Sequence, residues 1–171
     1  MDTPRKTLLI VWHSRTDTAY QMAQAARQGA EYAAGELQAG QHLDIVIKRA
    51  ADVQADDLLG ADGYVFCAPE NLAALSGEMK EFFDRNYYAV LDRLNGRPYV
   101  LLISAGSDGS MAAKQAERIC TGWRLVPAAP VLIVNTSAQT PEAILAPKQI
   151  TEQNRQDSHE KGGTVAALLL L

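Results

Sequence analysis

Nearly continuous apolar runs of strand length recur at Leu8–Trp12, Leu43–Ile47, Tyr64–Cys67, Tyr99–Ile103 and Val131–Val134. They read as strands buried on both faces, the pattern of a parallel sheet covered on each side. Helical spacing fills the intervals. Thr18–Ala39 places Met22, Ala26, Ala30, Ala33 and Leu37 on one stripe, with Gly40 as its stop. The small residues of that face allow close packing on a sheet. Glu78–Leu94 carries Met79, Phe82, Phe83, Tyr87 and Leu91, and Asn95-Gly96 ends it ahead of Pro98. Met111–Leu125 gives a third helix, while Ala55–Gly60 has room for a short one only. Strands alternating with helices predict an α/β fold: a doubly wound five-stranded parallel sheet with right-handed crossovers and helices on both faces. No repeat, low-complexity tract or linker divides residues 1–171, which read as a single domain.

Composition agrees with one globular domain: 171 residues, 47% hydrophobic and 21% charged. A net charge of -4 gives no basic face for nucleic acid. Cys67 and Cys120 match neither a CxxC pair nor a zinc spacing, which fits small core hydrophobes in a reducing compartment. His42 and His159 have no partners at metal spacing. The polar Met1–Lys6 segment shows no signal peptide, and Val165–Leu171 is too short to span a membrane. The expectation is a cytoplasmic protein with no membrane contact, whose apolar tail docks a last helix on the core.

In doubly wound sheets ligands bind beyond the carboxyl ends of the strands, so the turns there are the candidates. After the first strand comes Ser14-Arg15-Thr16-Asp17-Thr18-Ala19, a hydroxyl-rich turn leading into the first helix. Helix N-termini present unpaired N–H groups and partial positive charge, so this turn is either an N-cap or a cradle for a phosphate monoester. The third strand is followed by Pro69-Glu70-Asn71-Leu72-Ala73, in a loop long for its place and apolar at its tip. Such a loop covers a flat aromatic ring or only its own protein. After the fourth strand, Ser104-Ala105-Gly106-Ser107-Asp108-Gly109 contains two glycines that permit close backbone approach. Hydrolase and nucleotide-triphosphate motifs, GxSxG and GxxxxGK[ST], are absent. A phosphate-accepting receiver domain would need acidic residues where the first strand ends on Trp12 and His13.

Three stretches carry a family resemblance: Leu9 through Thr16, Pro69 through Arg85 with its Ser76-Gly77-Glu78-Met79, and Gly96-Arg97-Pro98 through Gly109. In them the chain resembles the flavodoxin-like superfamily, in particular its NAD(P)H-dependent FMN and quinone reductase branch, which includes proteins similar to the tryptophan-repressor-binding flavoprotein. The likeness covers most of the chain in order and is less distinct over roughly the last 35 residues. It implies strand order 2-1-3-4-5. It also implies that Ser14, Arg15, Thr16, Asp17, Thr18 and Ala19 surround the FMN phosphate. Pro69, Glu70, Asn71, Leu72 and Ala73 would lie along the isoalloxazine ring, and Ser104, Ala105, Gly106, Ser107, Asp108 and Gly109 would close its other side. Backbone N–H groups of these loops would stabilise the reduced, anionic ring. The implied activity passes electrons from NAD(P)H through FMN to a quinone or another small acceptor, in a homo-oligomer.

One residue departs from the family pattern. Asp17 stands where the phosphate turn usually has glycine, which tolerates a left-handed backbone and adds no charge. At ~5 Å its repulsion of a phosphate is about 1–3 kcal/mol per unit charge, unless Arg15 offsets it or the carboxylate caps the helix. Two alternatives to the reductase therefore stand beside it: a flavodoxin-type electron carrier and a flavin-free binding domain. The weak net charge favours the reductase over a carrier that must steer onto basic partners.

Overall fold

The computed structural model describes residues 4–171, so Met1–Thr3 of the segment read for a signal peptide lie outside it. Four long strands form the centre of the sheet: β1 Lys6–Trp12, β2 Leu43–Arg49, β3 Gly63–Asn71 and, after the short β4 Ala74–Leu75, β5 Pro98–Ala105. Beyond β5 the last sheet position is shared by β6 Val126–Pro127 and β7 Leu132–Asn135. The order is β2-β1-β3-β5-β6/β7, all parallel, with β4 folded back antiparallel on the end of β3. This is the predicted 2-1-3-4-5 arrangement with its fifth place split where Pro127 and Pro130 interrupt the ladder.

The helices are α1 Thr18–Glu36, α2 Ala55–Gly60, α3 Gly77–Val90, α4 Ser110–Gly122, α5 Pro141–Leu145 and α6 Glu152–Leu170. None is long and apolar enough to cross a membrane. Period-two alternation sorts the strand residues onto two cores. Leu9, Val11, Tyr64, Phe66, Leu101 and Ile103 face α3 and α4, whereas Leu8, Ile10, Val65, Cys67, Val100 and Leu102 face α1 and α6.

The two faces are filled by different means. On the α3/α4 side, Phe66, Phe83 and Trp123 interlock, with ring centroids 5.1 Å apart for Phe66–Phe83 and again for Phe83–Trp123. On the other side α1 and α6 meet backbone to backbone. A Cβ on Gly29 would lie 1.7 Å from the His159 carbonyl oxygen, and one on Gly162 would lie 1.9 Å from that of Ala26.

Three helix readings need correction. α1 ends at Glu36 rather than Ala39, because Gln38 takes the reversing left-handed turn at φ 53°, and Leu37 is exposed rather than on the buried stripe. α3 ends at Val90, and its stripe runs through Asn86 and Val90, leaving Tyr87 and Leu91 outside. Asp92 makes the left-handed reversal there, at φ 60°. α4 ends at Gly122, ahead of Arg124 at φ 61°. The apolar tail does dock as the end of α6, through Val165 and Ala166.

Alanine is favoured over glycine in a helix by about 1 kcal/mol, but a methyl group against a fixed carbonyl costs about 3 kcal/mol, the upper end of the ordinary overpacking range. Gly29→Ala and Gly162→Ala are therefore expected to lower the stability measured by urea unfolding by about 2 kcal/mol or more. Gly163→Ala should lose markedly less, because its Cβ would stand 3.2 Å from the Gly29 carbonyl oxygen, a tight contact rather than an overlap; equal losses at all three would refute the packing explanation.

Candidate functional site

β1, β3, β5 and β7 all end at one edge of the sheet, and the loops that leave them enclose a cleft of about 370 Å³. That volume lies in the roughly 300–1,000 Å³ range of small-molecule sites. From the first turn, Arg15, Thr16 and Thr18 line it; from the second, Pro69, Glu70 and Asn71; from the third, Ser104, Ala105 and Gly106. Nine of the seventeen residues predicted for the site thus meet around one space.

The first turn places a hydroxyl where it has no protein partner. Thr18 opens α1, is buried, and its Oγ1 makes no hydrogen bond. A buried hydroxyl without a partner costs about 1–3 kcal/mol, so a ligand oxygen at this helix N-terminus would satisfy it. Asp17 does not cap the helix: it holds φ 77° with no side-chain cap bond, and its Oδ2 lies 3.3 Å from Gln21 Nε2 on the exposed side. Ser14 and Ala19 do not line the cleft.

The second loop is a hairpin. β3 runs on to Asn71, reverses through Leu72 and Ala73 at φ 50° and 63°, and returns as β4, pairing Asn71 with Ala74 and Glu70 with Leu75. Two left-handed residues in a two-residue loop are ordinarily Asn-Gly, so Leu-Ala here stores about 1–3 kcal/mol per residue. Leu72 and Ala73 form the exposed tip, away from the cleft wall. With its amide oxygen turned toward the first turn, Asn71 accepts from Arg15 Nε at 3.0 Å, closing one end of the cleft.

Glu70 reaches the third loop. Its Oε1 accepts from Gly109 N at 3.0 Å and its Oε2 from Ala112 N at 3.4 Å, so the carboxylate caps α4 in place of Gly109, which has no side chain to do so. The Gly109 N–H is therefore engaged within the protein, contrary to the expectation that it faces a ring. Gly109 itself is required on two grounds: φ is 85°, and a Cβ would come 2.7 Å from Ile133 Cγ2. Ser107 and Asp108 are exposed and lie outside the cleft wall.

The fourth loop was not anticipated. Thr136 and Ala138, then Ile144 and Leu145 of α5, then Lys148 complete the lining. Thr140-Pro141-Glu142 carried the signal: an N-cap threonine, proline at the first helical position and an acidic first turn. The Thr140 hydroxyl accepts from Ala143 N at 3.2 Å. Cys67, beside the second loop, is fully buried with its thiol directed to Ala19 O at 3.0 Å.

A polar chain, buried at His13 and Ser76 and exposed at Arg49, ties the first turn to the second. His13 Nδ1 and Ser76 Oγ are 2.7 Å apart, His13 Nε2 is 3.4 Å from Glu78 Oε2, and Glu78 holds Arg49 through two 2.7 Å bonds. Burial pushes His13 below its ordinary pKa of 6.5, against the pull of Glu78. The neutral ring donates from Nε2 toward Glu78 and accepts the Ser76 proton at Nδ1. The Arg49 bonds hold the Glu78 carboxyl below the usual carboxylate range.

Because the unfolded chain takes up this histidine proton first, stability due to His13 is complete above pH 6.5 and is lost as pH falls toward the lower folded value. Urea unfolding at about pH 7 and pH 5.5 should show a smaller loss in His13→Asn than in the wild type. Equal losses in the two proteins would exclude His13 as the source.

The arrangement has relatives among known proteins. A flavodoxin from Aquifex aeolicus (strain VF5) is 28% identical over 102 residues, which are 60% of this chain and 51% of that protein; the chain spans about half the length of that relative. Among solved structures, a flavodoxin from the domain Archaea superposes with TM-score 0.74 at 16% identity, covering 95% of this chain and 98% of that one. An oxidoreductase from Corynebacterium diphtheriae gives 0.73 at 20% identity and covers 98% of both chains. A flavodoxin, WrbA-like protein from Agrobacterium tumefaciens gives 0.68 at 14% identity, covering 96% and 97%. At such identities the structural likeness is one of fold, and that fold is flavodoxin-like. Residues 13–139 match the NADPH-dependent FMN reductase family, and the chain belongs to that family.

Proposed function

We propose that the cleft binds FMN and that the protein is an oxidoreductase passing electrons from NAD(P)H to a quinone or another small acceptor. The observation that carries this reading is the partnerless Thr18 hydroxyl, buried at the N-terminus of a 19-residue helix in the wall of the cleft. Thr16, Thr18 and the first-turn N–H groups of α1 would hold the phosphate. Pro69 and Asn71 on one side, and Ser104, Ala105 and Gly106 on the other, would hold the ring. Bound there, FMN supplies hydride acceptance and electron release, chemistry that no side chain of the chain provides. The residues of the cleft bind, orient and exclude water. Glu70 and Gly109 fix the two ring-side loops to each other. Two buried free thiols suit action in the cytoplasm, and self-association with a second copy is part of the same reading.

The likeness to a flavodoxin supports electron carriage between proteins as a second reading. Steady-state oxidation of NADPH in the presence of a quinone separates the two. The reductase reading predicts turnover in the presence of FMN; a flavin-loaded protein with none would be a carrier.

Titration of FMN into the purified protein, followed by flavin absorbance, tests the cofactor itself; no response at saturating FMN would end this reading. Thr18→Val should weaken FMN by about tenfold while leaving the free protein equally or more stable, since the hydroxyl it removes has no partner to lose. Asp17→Gly should tighten FMN, because it removes a negative charge from the turn and suits φ 77°.

A further inference from the structure

We propose that Lys148 is a phosphate-binding residue of the cleft, so that the strap after α5 belongs to the cofactor site and selects phosphorylated over unphosphorylated flavin. The proposal rests on the FMN reading above and goes beyond the three sheet-edge loops.

The strap is fastened directly to the phosphate turn. Lys148 N donates to Thr16 O at 2.8 Å, and Gln21, one turn into α1, brackets the strap on both sides of Gln149. Its Nε2 donates to Lys148 O at 2.7 Å, and its Oε1 accepts from Ile150 N at 3.3 Å. Lys148 therefore shares the cleft wall with Arg15, Thr16 and Thr18 through fixed backbone, not through a mobile loop.

The ammonium is placed as well as the backbone. Lys148 Nζ donates to Ile144 O at 3.1 Å and Ala146 O at 2.5 Å, at the end of α5. An ammonium has three N–H groups, so one remains for a ligand. Among the described residues Lys148 forms no ion pair, and neither does Arg15.

Charge around the turn is arranged for an anion. The one carboxylate in the cleft wall, Glu70, is occupied by the N–H groups at the start of α4. Asp17 is drawn outward to Gln21, the same side chain that clamps the strap. Arg15 leans across to Asn71 through its Nε, and Lys148, whose backbone is bonded to Thr16, is the second cation of the cleft wall. A point charge with one free donor, in the same cleft wall as a helix N-terminus and a partnerless hydroxyl, is matched to a phosphate dianion.

The test compares FMN with riboflavin, which has the same ring and no phosphate, in wild type, Lys148→Gln and Lys148→Arg. Removing a charge-assisted hydrogen bond should weaken FMN about tenfold or more in Lys148→Gln, and leave riboflavin within about twofold. Lys148→Arg should recover most of the loss. Lys148→Met, which keeps the aliphatic stem, replaces the glutamine variant if that one is unstable. Equal weakening of both flavins would reduce Lys148 to a cap of α5 and overturn the proposal. Unchanged FMN affinity in a variant of a wild type that binds FMN would also overturn it. A wild type that ignores FMN overturns the cofactor reading itself, and so is distinct from both.

Discussion

The absence of side chains at one helix crossing governs the position of the first turn of the cleft. α1 and α6 touch through Gly29, Gly162 and the carbonyls of His159 and Ala26, a contact in which a single methyl group has no room. Such a contact is nearly rigid, because carbonyl oxygens of intact helices cannot rotate away as side-chain tips can. α1 is thereby fixed over β1 and β3, and its first turn inherits that position. Small residues on the α1 face, which in the sequence suggest close approach to the sheet, serve the sheet through Ala19, Met22, Ala23 and Ala26 and serve α6 through Gly29. One helix is clamped from two directions, and the cleft is built at its free end.

Around the cleft, positive φ appears at non-glycine residues in three of the four loops. Asp17 stands at 77°, Leu72 and Ala73 at 50° and 63°, and Ser137 at 54°. Each costs energy relative to a relaxed backbone, and each is held by bonds elsewhere: Gln21 for Asp17, the β3–β4 pairing for Leu72 and Ala73, and the Asn135 side chain, which accepts from Ser137 N at 2.8 Å. Glu70 shows the same economy of position. Its carboxylate does for α4 what a threonine does for α5 and α6, yet it arrives from a different strand. That choice couples the second and third loops of the cleft, which a local cap would leave independent.

The parts of the molecule legible from sequence are those dictated by local periodicity. Buried strands announce themselves as apolar runs, and the turns that follow them can be located by counting. Asp17 can be flagged as an oddity in its turn, though not resolved as a left-handed residue tethered to Gln21. What stays hidden is made by long-range geometry. Glu70 reads as a ring-side polar group because nothing nearby in sequence tells of the α4 N-terminus it caps. Lys148 lies 132 positions from Thr16, to whose carbonyl its backbone N–H donates, and no periodicity links them. The helix ends are misjudged for a related reason: Gln38, Asp92 and Arg124 perform the reversals expected of glycine.

The divided fifth place in the sheet also bears on how copies of this chain can meet. An uninterrupted edge strand is a template on which another chain can add its own strand. Here β6 offers two residues and β7 four, with Pro127 in β6 and Pro130 between the two strands each lacking a donor, and the opposite edge, β2, ends in Lys48 and Arg49. The β6/β7 margin therefore presents no long row of free backbone groups, whereas β2 is an unbroken seven-residue edge guarded by the two cations at its end. Strand addition at the β6/β7 margin is thus disfavoured by construction, and any exchange of strands between copies would have to use β2.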